Sequence, residues 1–215
     1  MTDNIIIIIG AGGIGRSLAF LFNEYAKRDL PEFKSVNYFW FDDDEVEDEN
    51  IWTQGFQPEE ATNCAYKVDA LRREFKWLTM YPISERYTNF NSAMRKIESL
   101  TSCSYIKVWV FLACDNLETR KQVYTECLKD NRFSFIDMRV NGRTMMVADS
   151  SCSKKELMET LEGGDNSAPT SCLYKWEKEN HIINTTPMIA SAMGIQYWLG
   201  QVRGDTKKEI TYINL

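Results

Sequence analysis

Several features are scarce or missing in this 215-residue sequence, and each absence excludes a class of function. It has one histidine, His181, which excludes multi-histidine metal sites and leaves a single residue for any Ser-His-Asp or Cys-His chemistry. No two of the six cysteines are spaced as CxxC, so zinc ribbons and thioredoxin-like redox pairs have no support, and we expect no zinc. No apolar run approaches the ~20 residues that span a bilayer, so we expect no membrane partner.

Acidic residues outnumber basic ones, and this excess of negative charge is concentrated in one segment. The 25 basic and 31 acidic residues give a net charge of −6, which offers no electrostatic reason to bind nucleic acid. Seven of the acids lie at residues 42–49, and the rest of the chain has 24 acids against 25 bases, a net of +1. With no basic and apolar leader and no sign of paired cysteines, we expect a cytoplasmic protein with reduced thiols.

The 44% of apolar residues can build a core, and their pattern alternates between strands and helices. Five consecutive isoleucines at 5–9 are typical of a strand buried on both faces of a parallel sheet. The pattern predicts strands at 5–9, 36–41, 105–113, 133–140, 144–148 and 209–213, and helices at 14–28, 58–79, 117–128, 150–161 and 187–199. We therefore predict an α/β, Rossmann-like, doubly wound and mostly parallel sheet with antiparallel closing strands.

Two parts of one domain are expected. Residues 1–149 form the nucleotide-binding core. Residues 150–215 supply a crossover segment, followed by a C-terminal helix and strand that complete the same domain.

A glycine loop follows the first strand directly and precedes the first helix. Its G-x-G-x-x-G pattern is made by Gly10, Gly12, Gly13 and Gly15. Glycines allow a tight turn and close approach of the backbone to a phosphate, and the helix N-terminus supplies free N–H groups. Asp42, at the end of the second strand, suits ribose hydroxyls. The loop alone leaves open a dinucleotide, NAD or FAD, or a mononucleotide triphosphate.

Further motifs favour the mononucleotide. They are Asp42-x-Asp44-x-Val46 with Asn50 and Gln54, Lys67 at a helix start, and Asp115-Asn116 with Arg120. In this order they resemble the ThiF/MoeB adenylyltransferase superfamily, which includes the ubiquitin-activating enzymes. The resemblance covers about residues 5–148. Residues 169–198 are similar, over a shorter match, to ThiF-like proteins of plasmid and phage gene sets.

The resemblance implies ATP-dependent adenylation of a carboxylate, which gives an acyl-adenylate and pyrophosphate with the help of Mg²⁺. The carboxylate is often the C-terminus of a ubiquitin-like or small carrier protein. Family members commonly form symmetric homodimers, and the small-residue helix at 187–199 is a plausible packing surface. We expect a homodimer on that basis.

Individual roles come with the resemblance. Asp42 would bind the ribose hydroxyls, Lys67 the phosphates, and Asp115 the magnesium ion. Asp44 would be a second acid near the metal or a helix cap. The remaining predicted nucleotide contacts are Asn50, Gln54 and Asn116. Asn116 and Arg120 also suit structural roles, the first as a helix cap and the second in a surface ion pair.

The sequence departs from the family pattern at one position that matters for catalysis. Thr53 stands where the family has a phosphate-binding arginine, and Arg16 is the nearest candidate to replace it, with Arg139 and Arg143 as others. For a thioester step, Cys172 is the candidate nucleophile, although a packed thiol is the plainer interpretation.

The same residues leave two other thiols and two other functions to consider. Cys152 is a weaker nucleophile candidate, and Cys114 fits core packing. The alternatives are a degenerate family member that binds a nucleotide or partner without catalysis, and an NAD- or FAD-dependent oxidoreductase. The latter leaves Asn50, Lys67 and Asp115 unexplained.

Overall fold

The computed structural model describes residues 3–101, 105–162, 184–205 and 210–215, and in them one sheet of seven strands. The strands are β1 (Asp3–Ile9), β2 (Val36–Phe41), β3 (Thr79–Ile83), β4 (Tyr105–Leu112), β5 (Phe133–Asn141), β6 (Thr144–Asp149) and β7 (Thr211–Asn214). Their order is β3-β2-β1-β4-β5-β6-β7. The first five are parallel, and β6 and β7 are antiparallel, which confirms the predicted fold class.

Helices cover both faces of this sheet. They are α1 (Gly13–Lys27), α2 (Asp48–Gln54), α3 (Pro58–Thr62), α4 (Lys67–Glu74), α5 (Phe90–Leu100), α6 (Leu117–Cys127), α7 (Lys154–Glu162) and α8 (Thr186–Arg203), with a 3₁₀ turn at Pro31–Phe33. Ile6 and Ile8 pack with residues of α1, α4 and α8, whereas Ile5, Ile7 and Ile9 pack with residues of α5, α6 and α7. A strand with a core on each face requires apolar residues at every position, which explains the isoleucine run.

The order of the strands creates a switch point between β1 and β4. From β1 the chain builds outward through β2 and β3, and it then returns to place β4 on the other side of β1. The helices that follow β1 and β4, α1 and α6, pack on opposite faces of the sheet, so the two connections diverge at the carboxyl ends of these strands. Open α/β sheets bind ligands at this point.

The predicted helix at 58–79 is wrong. It is two helices, α3 and α4, separated by residues 63–66, with Cys64 in the left-handed region at φ 48°. Residue 66 forms a bridge with Glu45, so the backbone here pairs with the chain after β2 instead of continuing a helix. Residues 79–83 form β3, an edge strand, where the proline at position 82 costs no interior ladder hydrogen bond.

Other differences are smaller. Neither α2 nor α5 was predicted, α7 begins at Lys154, and β7 is shifted to Thr211–Asn214. The C-terminal helix α8 lies against α1, β5 and β6, and Gly194 permits this contact because a Cβ there would lie 2.4 Å from the Met138 sulfur. None of the described helices is long and apolar enough to cross a membrane.

Candidate functional site

The glycine loop at the end of β1 contains two glycines that the fold requires. Gly10 has φ +107°, and a Cβ there would lie 2.7 Å from the carbonyl of Ala113 at the end of β4. A Cβ at Gly15 would lie 2.1 Å from the Gly10 carbonyl oxygen. Any side chain at these positions would displace backbone.

Gly12 differs from both. Its φ of −71° is accessible to every residue, and a Cβ there would meet nothing nearer than the Gln54 amide, at 3.8 Å. Neither backbone strain nor packing against the protein explains a glycine at this position. The space in front of Gly12 is what a closely approaching phosphate needs.

The start of α1 faces the same space with unpaired donors. Within the described residues, the backbone N–H groups of Gly13, Ile14 and Gly15 have no hydrogen-bond partner, and the first intrahelical bond runs from Arg16 N to Gly12 O at 2.8 Å. The first turn has no acidic residue and no side-chain cap. The N-terminus of this 15-residue helix therefore favours the binding of an anion.

Asp42 lies beside this loop, as predicted. One carboxylate oxygen accepts the Ala11 N–H at 2.6 Å, and the other accepts the Asp44 N–H at 2.9 Å. Burial raises the pKa of the Asp42 carboxyl, and the two N–H donors oppose that shift. Asp42 therefore supports the glycine loop directly, and its remaining lone pairs are available to a ribose.

Lys67 is buried at the first position of α4, where its ammonium lies 2.9 Å from an Asp44 carboxylate oxygen. The Lys67 backbone N–H also donates to the Asp44 carbonyl at 2.9 Å. Asp44 itself is 60% exposed along its side chain. It thus acts as the ion-pair partner of Lys67 in this structure.

The acidic run at 42–49 is spread among separate partners. Asp43 lies 3.4 Å from Arg86, and Glu47 forms a capping box with Asn50 at the start of α2. Asp48 and Glu49 occupy the first turn of α2, where negative charge is favourable. No group of three possible metal ligands occurs in the described parts of the chain.

The three uncharged polar residues of α2 have different environments. Asn50 is buried, and its side-chain oxygen accepts the Glu47 N–H at 2.9 Å, so its contacts are those of a helix cap. The Thr53 hydroxyl donates to the Glu49 carbonyl of its own helix at 2.7 Å. Gln54 faces Gly12, and its buried Oε1 has no hydrogen-bond partner among the described residues. Of the three, Gln54 is the one poised for a ligand.

Arg16 is held away from such a role in this structure. Its guanidinium donates to both carboxylate oxygens of Glu74, at 2.9 and 2.7 Å. It also lies over the rings of Phe56 and Phe75, with centroid distances of 5.5 and 5.6 Å. No described contact joins Arg16 to Lys67 or Asp115, so its predicted phosphate contact would require it to leave Glu74.

Asp115 lies at the carboxyl end of β4, in a turn that touches the glycine loop. The preceding Cys114 nitrogen is 2.8 Å from the Cβ position of Gly10. Asp115 is exposed and makes no hydrogen bond or ion pair within the described structure. Asn116, next to it, accepts the Thr119 N–H at 2.9 Å and so caps α6. Burial raises the pKa of the Cys114 thiol, which disfavours a reactive thiolate.

Arg120 lies beneath this turn and not on the surface, so the expected surface ion pair is wrong. It is 3% exposed, donates to the Cys114 and Met138 carbonyls, and pairs with the fully buried Asp137. Asp137 also accepts from Tyr124, and it lies 2.8 Å from Arg139. The signal in the sequence was the Arg-x-x-x-Tyr spacing on α6, which puts both side chains on one helix face.

Arg139 and Arg143, the other predicted substitutes for the missing arginine, have separate positions. Arg139 donates to the carbonyl and hydroxyl oxygens of Thr160, in addition to its ion pair with Asp137. Arg143 is exposed after β5, and its carbonyl accepts the N–H of Leu215. Cys152 is buried, and burial raises its pKa. Cys172 and His181 lie outside the described residues.

The sequence matches no protein-family profile and no curated protein. Solved structures of E. coli MccB share the fold. One covers 98% of this chain with a TM-score of 0.62 and 12% identity. The complex of E. coli MccB with ATP has a TM-score of 0.61 and 12% identity and covers 98% of this chain. The Microcin C7 biosynthetic enzyme MccB in complex with N-formylated MccA has a TM-score of 0.59 and 12% identity, also over 98% of this chain.

These matches cover 61%, 63% and 64% of the MccB chains, so this chain spans less than two thirds of their length. At 12% identity, this likeness shows the shared Rossmann-like fold alone, which is the fold that the ThiF/MoeB resemblance implies.

Proposed function

We propose that this protein binds ATP and catalyses adenylation of a carboxylate. The observation that carries the proposal is the junction at the switch point. There, a glycine loop with open space at Gly12 and unbonded amides touches the Asp42–Asp44–Lys67 group on one side and the turn of Asp115 on the other. MccB, which has the same fold, has been solved with ATP.

The residues have complementary tasks in such a reaction. The amides at the start of α1 receive phosphate oxygens, and Asp42 takes the ribose hydroxyls. The Lys67 ammonium neutralises charge that develops as the carboxylate oxygen bonds to the α-phosphorus and the bond to pyrophosphate breaks. The site needs no general base, because the attacking group is already an anion.

Magnesium is part of the proposal, and one residue is suited to hold it. Mg²⁺ bound to a nucleotide typically takes one or two protein carboxylates, with phosphate oxygens and water completing its shell. The exposed and unpartnered carboxylate of Asp115 fits that need. The ion would withdraw charge from the phosphates.

The acceptor and the assembly rest on the family resemblance. We propose the C-terminus of a ubiquitin-like or small carrier protein as the carboxylate, and a homodimer as the assembly. MccB offers a parallel, because it has been solved with MccA.

A second candidate is nucleotide binding without catalysis, and two observations favour it. Thr53 replaces the motif arginine and bonds within its own helix, and Arg16 is bound to Glu74. With Lys67 paired to Asp44, both cations assigned to the phosphates, Lys67 and Arg16, already have a carboxylate partner.

Two measurements separate these functions. Calorimetric titration with Mg-ATP tests the site, with NADH as the contrast for an oxidoreductase. ATP–pyrophosphate exchange, measured with carrier proteins ending in Gly-Gly, tests the chemistry. Exchange that is lost in Asp115→Ala supports adenylation. Tight ATP binding without exchange for any carboxylate supports the second candidate, and binding of NADH but not ATP contradicts both.

A further inference from the structure

We infer that Trp40 is a positioning residue for the phosphate-binding loop. Resting on the proposed nucleotide site, this inference assigns a role to a buried side chain that no motif marks. Trp40 lies on β2, is fully buried, and donates its indole N–H to the Gly10 carbonyl at 3.0 Å.

The geometry shows that one peptide unit is bonded at both ends. The carbonyl of the Gly10–Ala11 peptide accepts from Trp40, and the N–H of the same peptide donates to Asp42 at 2.6 Å. The preceding N–H, that of Gly10, donates to the Phe41 carbonyl at 2.9 Å. Three consecutive residues at the end of β2 thus fix the plane of the peptide that opens the loop.

The indole also limits the other end of the loop. Its nitrogen lies 3.5 Å from the Cβ position of Gly15, and that position is itself 2.1 Å from the Gly10 oxygen. The Gly10 carbonyl therefore sits between Trp40 and the first turn of α1. A side chain without an N–H donor would leave this buried carbonyl without the Trp40 bond, and the peptide could then rotate.

Rotation of this peptide would displace the amides that face the phosphates, whereas Asp42, still held by the Asp44 N–H, would keep its place for the ribose of a nucleoside. The expected signature is therefore a change in affinity for ATP that adenosine does not share. A residue that only stabilises the core would affect both ligands alike through the folded fraction.

The matched variants are Trp40→Phe and Trp198→Phe. Trp198 is equally buried, its ring packs against Phe22, Phe33 and Phe111, and its indole nitrogen has no hydrogen-bond partner among the described residues. Both substitutions remove similar volume from the same face of the sheet, but only the first removes a bond to the loop.

Calorimetric titrations of each folded variant with Mg-ATP and with adenosine test the inference. We expect Trp40→Phe to bind Mg-ATP about threefold to tenfold more weakly, with adenosine unchanged, because one hydrogen bond to a backbone carbonyl is lost. Trp198→Phe should leave both affinities as in the original protein.

Equal losses for both ligands, an unchanged ATP affinity, or the same selective loss in Trp198→Phe would overturn the role of Trp40. Failure of the unchanged protein to bind Mg-ATP is a separate result, seen before any variant, and it overturns the proposed function. If Trp40→Phe does not fold, hydrogen exchange on the original protein decides. The Ala11 amide and the Trp40 indole should be protected without nucleotide, and rapid exchange of both contradicts the inference.

Discussion

The two sides of the junction are built differently. On the loop side, residues 10–16 with β2 and Lys67, the polar groups hold one another: Asp42 binds the loop backbone, and Asp44 binds Lys67. On the acid side, residues 113–139, Arg120 and Asp137 are buried and Arg139 is half-buried below the turn, and Asp115 is left exposed above them.

The difference separates positioning from reaction. The loop side already has its shape, so a nucleotide would meet a surface that needs little rearrangement. The acid side presents one carboxylate that has no hydrogen-bond or ion-pair partner among the described residues, above the group of Arg120, Asp137 and Arg139.

Asp115 should therefore show the largest effect on activity. We expect Asp115→Asn to lower ATP–pyrophosphate exchange by about 10²- to 10³-fold, the size of loss seen when one charge-stabilising group leaves an active site. Adenosine affinity should stay unchanged, because the loop side is intact. Asp130→Asn, at a half-buried acid that pairs with Arg132 elsewhere in residues 113–139, is the control. Full exchange in Asp115→Asn would remove this residue from the chemistry.

Asp137 should show the largest effect on stability. Asp137→Asn leaves the buried Arg120 and the half-buried Arg139 without their carboxylate, and breaking such a group costs about 3 kcal/mol of the free energy of unfolding. Urea unfolding measures this cost. Asp43→Asn, which breaks the exposed pair with Arg86, should cost well under 1 kcal/mol. Similar costs for both would show that the ion pairs of Asp137 with Arg120 and Arg139 do not stabilise the acid side.

Substitution of two glycines on the loop side separates binding of a phosphate from stability of the fold. Gly12→Ala should fold normally, since its Cβ has room, but we expect Mg-ATP affinity to fall roughly tenfold or more as the methyl group meets the phosphates. Gly15→Ala should instead lose stability, because its Cβ overlaps the Gly10 oxygen. Thermal melts and calorimetric titration separate the two. Unchanged ATP binding in Gly12→Ala would contradict a phosphate at this position.

The sequence predicted the sheet because the strong strands are apolar on both faces and need no context. The sequence did not predict β3 or the break at Cys64, because both depend on tertiary contacts. Strand β3 forms by pairing with β2 at the edge of the sheet, and the helix breaks where residue 66 forms a bridge with Glu45.

The motif spacing indicated the glycine loop, Lys67 and Asp115 as site residues, and their roles stay a prediction. It gave a helix cap as one role of Asn116, and the structure shows that cap. It could not show that Arg16 pairs with Glu74 or that Trp40 reaches Gly10. Those partners are 58 residues apart in the case of Arg16 and 30 in that of Trp40, so only the fold brings them together.

The smallest expected effect is on the pH dependence of stability at Asp42, and it tests whether burial disfavours the charged form of this carboxyl. Burial raises its pKa above the unfolded value of 3.8, so the folded protein holds this proton more tightly than the unfolded chain. Relative to Asp42→Asn, the original protein should gain stability as the pH falls through the raised pKa towards 3.8, as urea midpoints at several pH values would show. Glu32→Gln is the control of opposite sign. Hydrogen bonding to Arg203 lowers the pKa of Glu32, so that stability is lost on acidification. A parallel response of the two variants would mean that the Ala11 and Asp44 amides, and not burial, set the charge of Asp42.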